Sequence, residues 1–310
     1  MSGMTLVQLR YIVALDLERH FGRAAERCGV SQPTLSTQVR RLEAELGVEI
    51  FDRTRQPIEP TDLGQRILER ARAVLREAEG LLAEVHAVTD EVAGELRLGV
   101  IPTLAPYLLP LIVGELRRRH PLLALHVEEH RTSEILERLE RGVLDAGLIA
   151  TAEARAGLEE RRLFREPFVG YVSTDHPIHA HDWISEADLD LDTLWLLEEG
   201  HCFRDQVIQL CAEAGRAAGG AAARPLHFES GNLETLKRLV DRGGGMTLLP
   251  YLAVADLTPE ERARVRPFER PSPSRTVRLV HGRTYLKRAL IDALAEVVLD
   301  QVPPELRREG

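Results

Sequence analysis

The sequence predicts a chain of three parts: an all-α helix-turn-helix domain over residues 1–60, a long linker helix over 61–92, and an α/β region of two lobes over 93–310. Three observations predict it. Apolar residues recur at helical spacing through the first 60 positions. A seam of apolar residues then steps by fours and threes through Ile67, Ala71, Val74, Ala78, Leu81, Val85, Val88 and Val92. From Gly94 onward short apolar runs alternate with helical patterns, as in a mainly parallel sheet covered by helices.

Composition narrows the classes. At 310 residues the chain has room for two or three domains, and 44% hydrophobic with 29% charged residues is ordinary for a soluble globular protein. Met1-Ser2-Gly3-Met4-Thr5 has no basic region leading into an apolar one, and the most apolar stretch, 104–113, contains Pro106 and Pro110. The expected location is the cytoplasm, where disulfides are mostly transient and functional. Net charge is −9, and the first 60 residues balance eight arginines against eight carboxylates. Bulk charge therefore argues against nucleic acid, and any such binding has to come from local geometry.

In chain order, Thr5-Leu6-Val7-Gln8 fits a capping box, with Leu6, Leu9 and Ile12 giving the first helix its apolar side. Phe21, Ala24, Ala25 and Cys28 repeat at helical spacing in a short second helix, which makes Cys28 a packing residue. Ser31 caps a third helix with Pro33 in its first turn. Leu35, Val39, Leu42 and Leu46 turn to one side of it, while Pro33, Thr37, Arg40 and Arg41 turn to the other, flanked by Thr34 and Ser36. A short helix, a tight turn and a helix with that outer face form the pattern that enters a DNA major groove. Residues 48–51 and 56–60 flank Arg53-Thr54-Arg55 as a small wing, its two arginines placed for phosphates. The candidate DNA contacts are Ser31, Gln32, Pro33, Thr34, Ser36, Thr37, Arg40, Arg53 and Arg55. The seam from 67 to 92 fits a helix pairing with its own copy.

In the α/β region, strands are expected at 96–101, 123–127, 146–150, 167–172, 193–198, 225–228, 246–250 and 277–280, with helices at 103–118, 133–141, 203–214, 232–241 and 287–300. Two lobes of this kind enclose a cleft, and ligand sites gather at strand carboxyl ends. Thr103, Thr132 and Cys202 each follow a strand and are expected to face it. Asp175-His176-Pro177-Ile178-His179-Ala180-His181-Asp182 reads as a solvated turn, Arg242-Gly243-Gly244-Gly245 as a helix C-cap, and 217–223 as a flexible connection. No cofactor or metal is expected.

Cys202 stands at the start of the 203–214 helix, where backbone N–H groups, the helix dipole and neighbouring His201 and Arg204 favour a thiolate. Cys211 falls on the apolar side and should be inert. Nine residues of helix rise about 13 Å and turn roughly 180°, whereas a disulfide needs Cα atoms about 4.4 to 6.8 Å apart. The spacing admits a redox switch that unravels the helix, or two unrelated cysteines.

The run from Phe21-Gly22-Arg23-Ala24-Ala25 through Ser31-Gln32-Pro33-Thr34-Leu35-Ser36, with Leu42-Glu43-Ala44-Glu45-Leu46-Gly47 and Ile50-Phe51-Asp52-Arg53, closely resembles the LysR-type transcriptional regulators. The resemblance covers essentially the whole chain. Within that family, Gly200-His201-Cys202-Phe203-Arg204-Asp205-Gln206 with a second cysteine at 211 is similar to the members that sense hydrogen peroxide. It implies two periplasmic-binding-protein-like subdomains, one of residues 93–166 and 270–310 and the other of 167–269, behind a winged helix-turn-helix. It also implies a peroxidatic Cys202 and a resolving Cys211. Thr103 and Thr132 would hold peroxide, His201 and Asp205 would complete the pocket, and Arg275 would stabilise the thiolate. The implied partners are promoter DNA, hydrogen peroxide, a second copy through the linker helix within a homotetramer, a glutaredoxin- or thioredoxin-type reductant, and RNA polymerase. The competing expectations are a family member answering to a small organic ligand in the cleft, and a thiol peroxidase; the leading one is a regulator and not an enzyme. The Ala/Gly-rich stretch after Cys211 and the acidic balance depart from the family pattern.

Overall fold

The computed structural model describes residues 3–87, 92–153, 155–189, 194–213, 231–282 and 287–307. The chain divides into two compact units, Met1–Glu91 and Val92–Gly310.

In the first unit α1 (Leu6–Glu18), α2 (Phe21–Arg27) and α3 (Gln32–Leu46) precede a two-stranded wing, β1 (Phe51–Asp52) against β2 (Glu59–Pro60), and α4 (Asp62–Ala87). The capping box forms at Thr5 and Gln8, and Ser31 caps α3 through its bond from Thr34 N–H. Leu9, Ile12, Leu15, Ala24, Leu35, Val39, Leu42, Phe51 and Leu68 make the core. Two expected apolar positions stand outside it: Leu6 and Leu46, each at the end of its helix, are exposed. Asp16, on the inner side of α1, forms a buried ion pair with Arg72 of α4. That pair fixes the linker helix to the first helix.

In the second unit the strands are β3 (Gly94–Val100), β4 (Leu123–Glu129), β5 (Ala146–Ile149), β6 (Leu158–Val172), β7 (Met246–Pro250), β8 (Val265–Pro267) and β9 (Ser274–Gly282). The helices are α5 (Ala105–Arg119), α6 (Thr132–Glu140), α7 (Cys202–Glu213), α8 (Leu233–Gly243), α9 (Pro259–Arg262), α10 (Arg288–Gln301) and α11 (Pro304–Arg307). Sheet order is β4-β3-β5-β9-β6-β7, with β8 beside β6. The expected mainly parallel sheet is mixed instead: β3 runs parallel to β4 and β5, but β9 is antiparallel to β5 and β6, and β6 to β7 and β8.

The source of the difference is β6. It was expected at 167–172, but it begins at Leu158 and runs through both lobes, pairing with β9 up to Pro167 and with β7 from Phe168. Its first half carries charges on the solvent side, where Arg161 meets Asp292 at 2.9 Å, and buries Leu163, Phe164 and Glu166. The expected strand at 193–198 reduces to one bridge, Leu194 to Met246. Trp195 satisfies its polar groups there without a ladder, its backbone N–H and indole Nε1 each donating at 2.8 Å to Met246 O and Gly244 O. Thr193, Val88, and the readings at 217–223 and 225–228 lie outside the described residues.

Each lobe has its own core, one around Leu98, Leu148, Leu279 and Leu294, the other around Tyr171, Phe203, Val207 and Leu248. Helix α6 lies hard against the first lobe's sheet, since a Cβ on Gly147 would come within 2.4 Å of Ile135 Cγ2. That close packing sets the height of Thr132, the first residue of α6. Among the described residues no helix is long and apolar enough to cross a membrane.

Replacing one member of a buried ion pair leaves the other uncompensated. Asp16→Ala is expected to destabilise the first unit by about 3 kcal/mol, measured as a lowered urea midpoint of its unfolding transition.

Candidate functional site

Gly200 turns the chain into α7. Its φ is +90°, a region open chiefly to glycine, and a Cβ there would sit 2.5 Å from Arg131 Nη1. Arg131, just ahead of α6, donates to Glu198 Oε1 at 2.9 Å and so ties the approach to α7 to the opposite lobe. Cys202 follows as the first residue of α7, half-buried and packed against the first lobe's core although its helix belongs to the second.

Thr132 and Arg275 act on that sulfur, and Thr103 joins them through Arg275. The Thr132 hydroxyl is close enough to favour its anion, and Thr132 Oγ1 is buried without a well-aligned hydrogen-bond partner among the described residues. Arg275 acts on the sulfur by charge, and its guanidinium lies 5.4 Å over the Phe203 ring. Thr103 Oγ1 accepts from Arg275 Nη1 at 2.9 Å and Thr103 O from Nη2 at 3.1 Å. The third guanidinium nitrogen, Nε, donates to Glu166 Oε2 at 2.7 Å, and both side chains of that pair are fully buried.

The helix start does not give the acidic thiol expected from its neighbours. Burial pushes the Cys202 thiol above its ordinary value; Arg275, the Thr132 hydroxyl and the Phe203 N–H pull it back, and Asp205 pushes it further up. His201 contributes no cation at neutral pH. Burial holds its pKa below the usual imidazole value, with Arg131 acting in the same sense and Glu198, 3.5 Å from Nε2, opposing. Arg204 turns toward Glu199 at 4.0 Å. The cation that matters therefore comes from β9, 73 positions away in sequence.

Of the expected site residues, Cys202, Thr132, Thr103 and Arg275 come together. His201 is buried beside Glu198, and Asp205 is exposed one turn along α7. Cys211 is fully buried in the second lobe's core on the same helix. No disulfide joins the three cysteines. Cys28 is half-buried at the C-terminal cap of α2. Sequence reasoning missed Glu166 and Gln206. Gln206 follows Cys202 by four residues, so the helical period puts it on the same face. Its Nε2 donates to Ala150 O at 3.0 Å across the lobes, and its Oε1 is buried without a hydrogen-bond partner among the described residues.

In the first unit Ser31, Gln32, Pro33, Thr34, Thr37 and Arg40 are exposed on α3, and Ser36 is half-buried. The two wing arginines are more committed than expected. Arg53 bonds Glu43 and lies 5.5 Å over the Phe21 ring, and Arg55 reaches Glu59 at 2.7 Å and Asp52 at 3.3 Å. Glu43 also accepts from the N–H groups of Ile50 and Phe51, so Arg53 braces the wing against α3.

Residues 6–65 match the bacterial regulatory helix-turn-helix proteins of the lysR family, and residues 89–303 match the LysR substrate binding domain. The chain belongs to the LysR family. Among LysR-family relatives, it is 40% identical to the DNA-binding transcriptional dual regulator OxyR of Escherichia coli K12, over 95% of each chain. It is 39% identical to the hydrogen peroxide-inducible genes activator of Dickeya chrysanthemi, over 96% of each. A solved full-length OxyR variant from Pseudomonas aeruginosa aligns with a TM-score of 0.78 at 39% identity, covering 96% of this chain and 98% of that one. A hydrogen peroxide-bound OxyR mutant from Corynebacterium glutamicum aligns at 0.63 and 29% identity, covering 96% and 92%. The LysR fold of two α/β lobes behind a helix-turn-helix is thus this chain's fold.

Because Arg275 opposes the effect of burial, its removal has a definite sign. Arg275→Met is expected to move the pH midpoint of Cys202 alkylation upward from a wild-type value already above that of an ordinary thiol. Iodoacetamide labelling rates measured across pH check both statements.

Proposed function

We propose that this LysR-family regulator senses hydrogen peroxide through Cys202 and transmits the signal to promoter DNA by closing a Cys202–Cys211 disulfide. The observation that carries the reading is the arrangement around the sulfur: a thiol beside the Thr132 hydroxyl, backed by a buried arginine that also holds Thr103, with a second thiol on the same helix. Names borne by relatives at 39–40% identity over nearly the full length support it.

Chemically, the Cys202 thiolate attacks one peroxide oxygen and the O–O bond breaks. The departing oxygen takes a proton and leaves as water, with hydroxyl donors stabilising the charge that builds on it. Thr103 and Thr132 supply such donors. His201, neutral at pH 7, and Asp205 complete the pocket's rim. Cys202 becomes a sulfenic acid, the Cys211 thiolate attacks its sulfur, and a second water leaves as the disulfide forms. Two electrons pass from the thiols to each peroxide. A dithiol reductant of the glutaredoxin or thioredoxin type returns both thiols by exchange.

The mechanical consequence follows from length. The two cysteines share α7, where nine residues span about 13 Å. A disulfide holds Cα atoms within about 6.8 Å. Closing it dismantles α7, and with it the Gln206 bond to Ala150 and the Arg275 stack on Phe203, both of which cross between the lobes. The regulator is consumed once per peroxide until reduced, which distinguishes it from a peroxidase.

For DNA, residues 1–60 form the reading domain, 61–92 the linker and 93–310 the sensor. Ser31, Gln32, Pro33, Thr34, Ser36, Thr37 and Arg40 enter the groove; Arg53 and Arg55, with 31% and 66% of their side chains exposed, supply secondary phosphate contacts. Val74 and Leu81 remain exposed on α4 at 44% and 72%, and Val74 lines an apolar groove with Met4, Leu46, Leu63 and Ile67. A second copy's linker helix covers that face, and pairs of dimers form the tetramer that meets promoter and RNA polymerase.

Cys202→Ser is expected to abolish the peroxide-dependent change in the promoter footprint while leaving basal DNA binding intact; a normal peroxide response in that variant contradicts the reading. Cys211→Ser should stop at the sulfenic acid, detected by dimedone adduct mass. If α4 pairs with its copy, Leu81→Glu lowers the molar mass seen by light scattering.

A further inference from the structure

Glu166 lies where β6 passes from one lobe to the other, facing Arg275 across the β6–β9 ladder. Its carboxylate has no solvent exposure. Oε2 accepts from Arg275 Nε at 2.7 Å, and Oε1 accepts from the Leu252 N–H at 2.8 Å, in the turn that follows β7. All three guanidinium nitrogens of Arg275 donate as a result: Nη1 and Nη2 both reach Thr103, and its face lies over Phe203. A hydroxyl that accepts a bond from a guanidinium keeps its own proton for another acceptor. Thr103 Oγ1 is in that state.

We propose that Glu166 is a positioning residue for the peroxide reaction, holding Arg275 so that it backs the Cys202 sulfur with a half-neutralised charge and leaves the Thr103 proton to donate. Two physical points carry this. A buried cation that loses its carboxylate becomes uncompensated and leans on whatever anion remains, and the Cys202 sulfur is the ionisable group that Arg275 already favours as an anion. Second, the hydrogen bond from Leu252 fixes the free end of the carboxylate to a different element, so the guanidinium is held from two sides of the crossing. Glu166 touches neither the sulfur nor Thr103, and its effect runs through Arg275.

The assignment rests on the peroxide reading of the site, but it has a test that uses no peroxide. In the full-length protein, Glu166→Gln is expected to lower the pH midpoint of Cys202 alkylation by roughly one unit. Its plateau rate with peroxide should also fall, by about tenfold, as Thr103 loosens. In an Arg275→Gln background the same substitution should move the midpoint no further. Glu166→Asp keeps the charge but withdraws it by one carbon; it should lower the midpoint by a smaller amount, and it stands in if the Gln variant does not fold. An unchanged or raised midpoint overturns the proposal, as does a full shift in the absence of Arg275. A shifted midpoint in a protein that ignores peroxide would keep the positioning role and defeat only the peroxide reading.

Discussion

Two sulfurs on one helix cannot meet. Cys202 opens α7 and Cys211 stands nine residues along it, and no rotamer spans the roughly 13 Å between their backbones. Every other feature of the sensor unit gains its meaning from that constraint. As folded, the helix keeps the thiols apart, and it is held by bonds to the opposite lobe through Gln206, by the Phe203 stack under Arg275, and at its approach by Arg131 on Glu198. Joining the sulfurs releases these contacts together, so a two-electron event at one atom becomes a rearrangement of the interface between lobes.

The same site resolves a conflict between burial and reactivity. A thiol packed against an apolar core is a poor nucleophile, since desolvation raises its pKa. A fully exposed arginine would be screened by water. Here the arginine is buried, its charge tempered by Glu166, and its donors spent on Thr103. The arrangement sets burial, which raises the thiol, against Arg275 and the Thr132 hydroxyl, which favour its anion. Selectivity then comes from geometry around the leaving oxygen and less from the acidity of the sulfur.

Much of this was legible in the chain. Helical spacing placed Cys202 at a helix start and Cys211 on its inner side, and the hydroxyl-and-arginine face of α3 stood out because Leu35, Val39 and Leu42 claim the other side. What escaped the sequence did so for physical reasons. The first half of β6 was hidden because its charges face solvent and a bulge between Arg162 and Phe164 breaks the alternation. The run around Trp195 looked like a strand because it is apolar, but apolar burial does not require a ladder. The wing arginines looked available until folding brought Glu43 and Glu59 beside them. Glu166 gave no signal at all: one carboxylate before a proline acquires its role only when β9 lays Arg275 opposite it.

The claim that the disulfide and the folded α7 exclude each other is tested most directly by hydrogen exchange on the full-length protein before and after one equivalent of peroxide. Mass mapping of the bridge is done on the same samples. Amides along Cys202–Glu213 are expected to lose protection in step with the appearance of the Cys202–Cys211 bridge, and to regain it on reduction. A bridge formed with α7 still protected, or α7 unprotected before any peroxide is added, would contradict it.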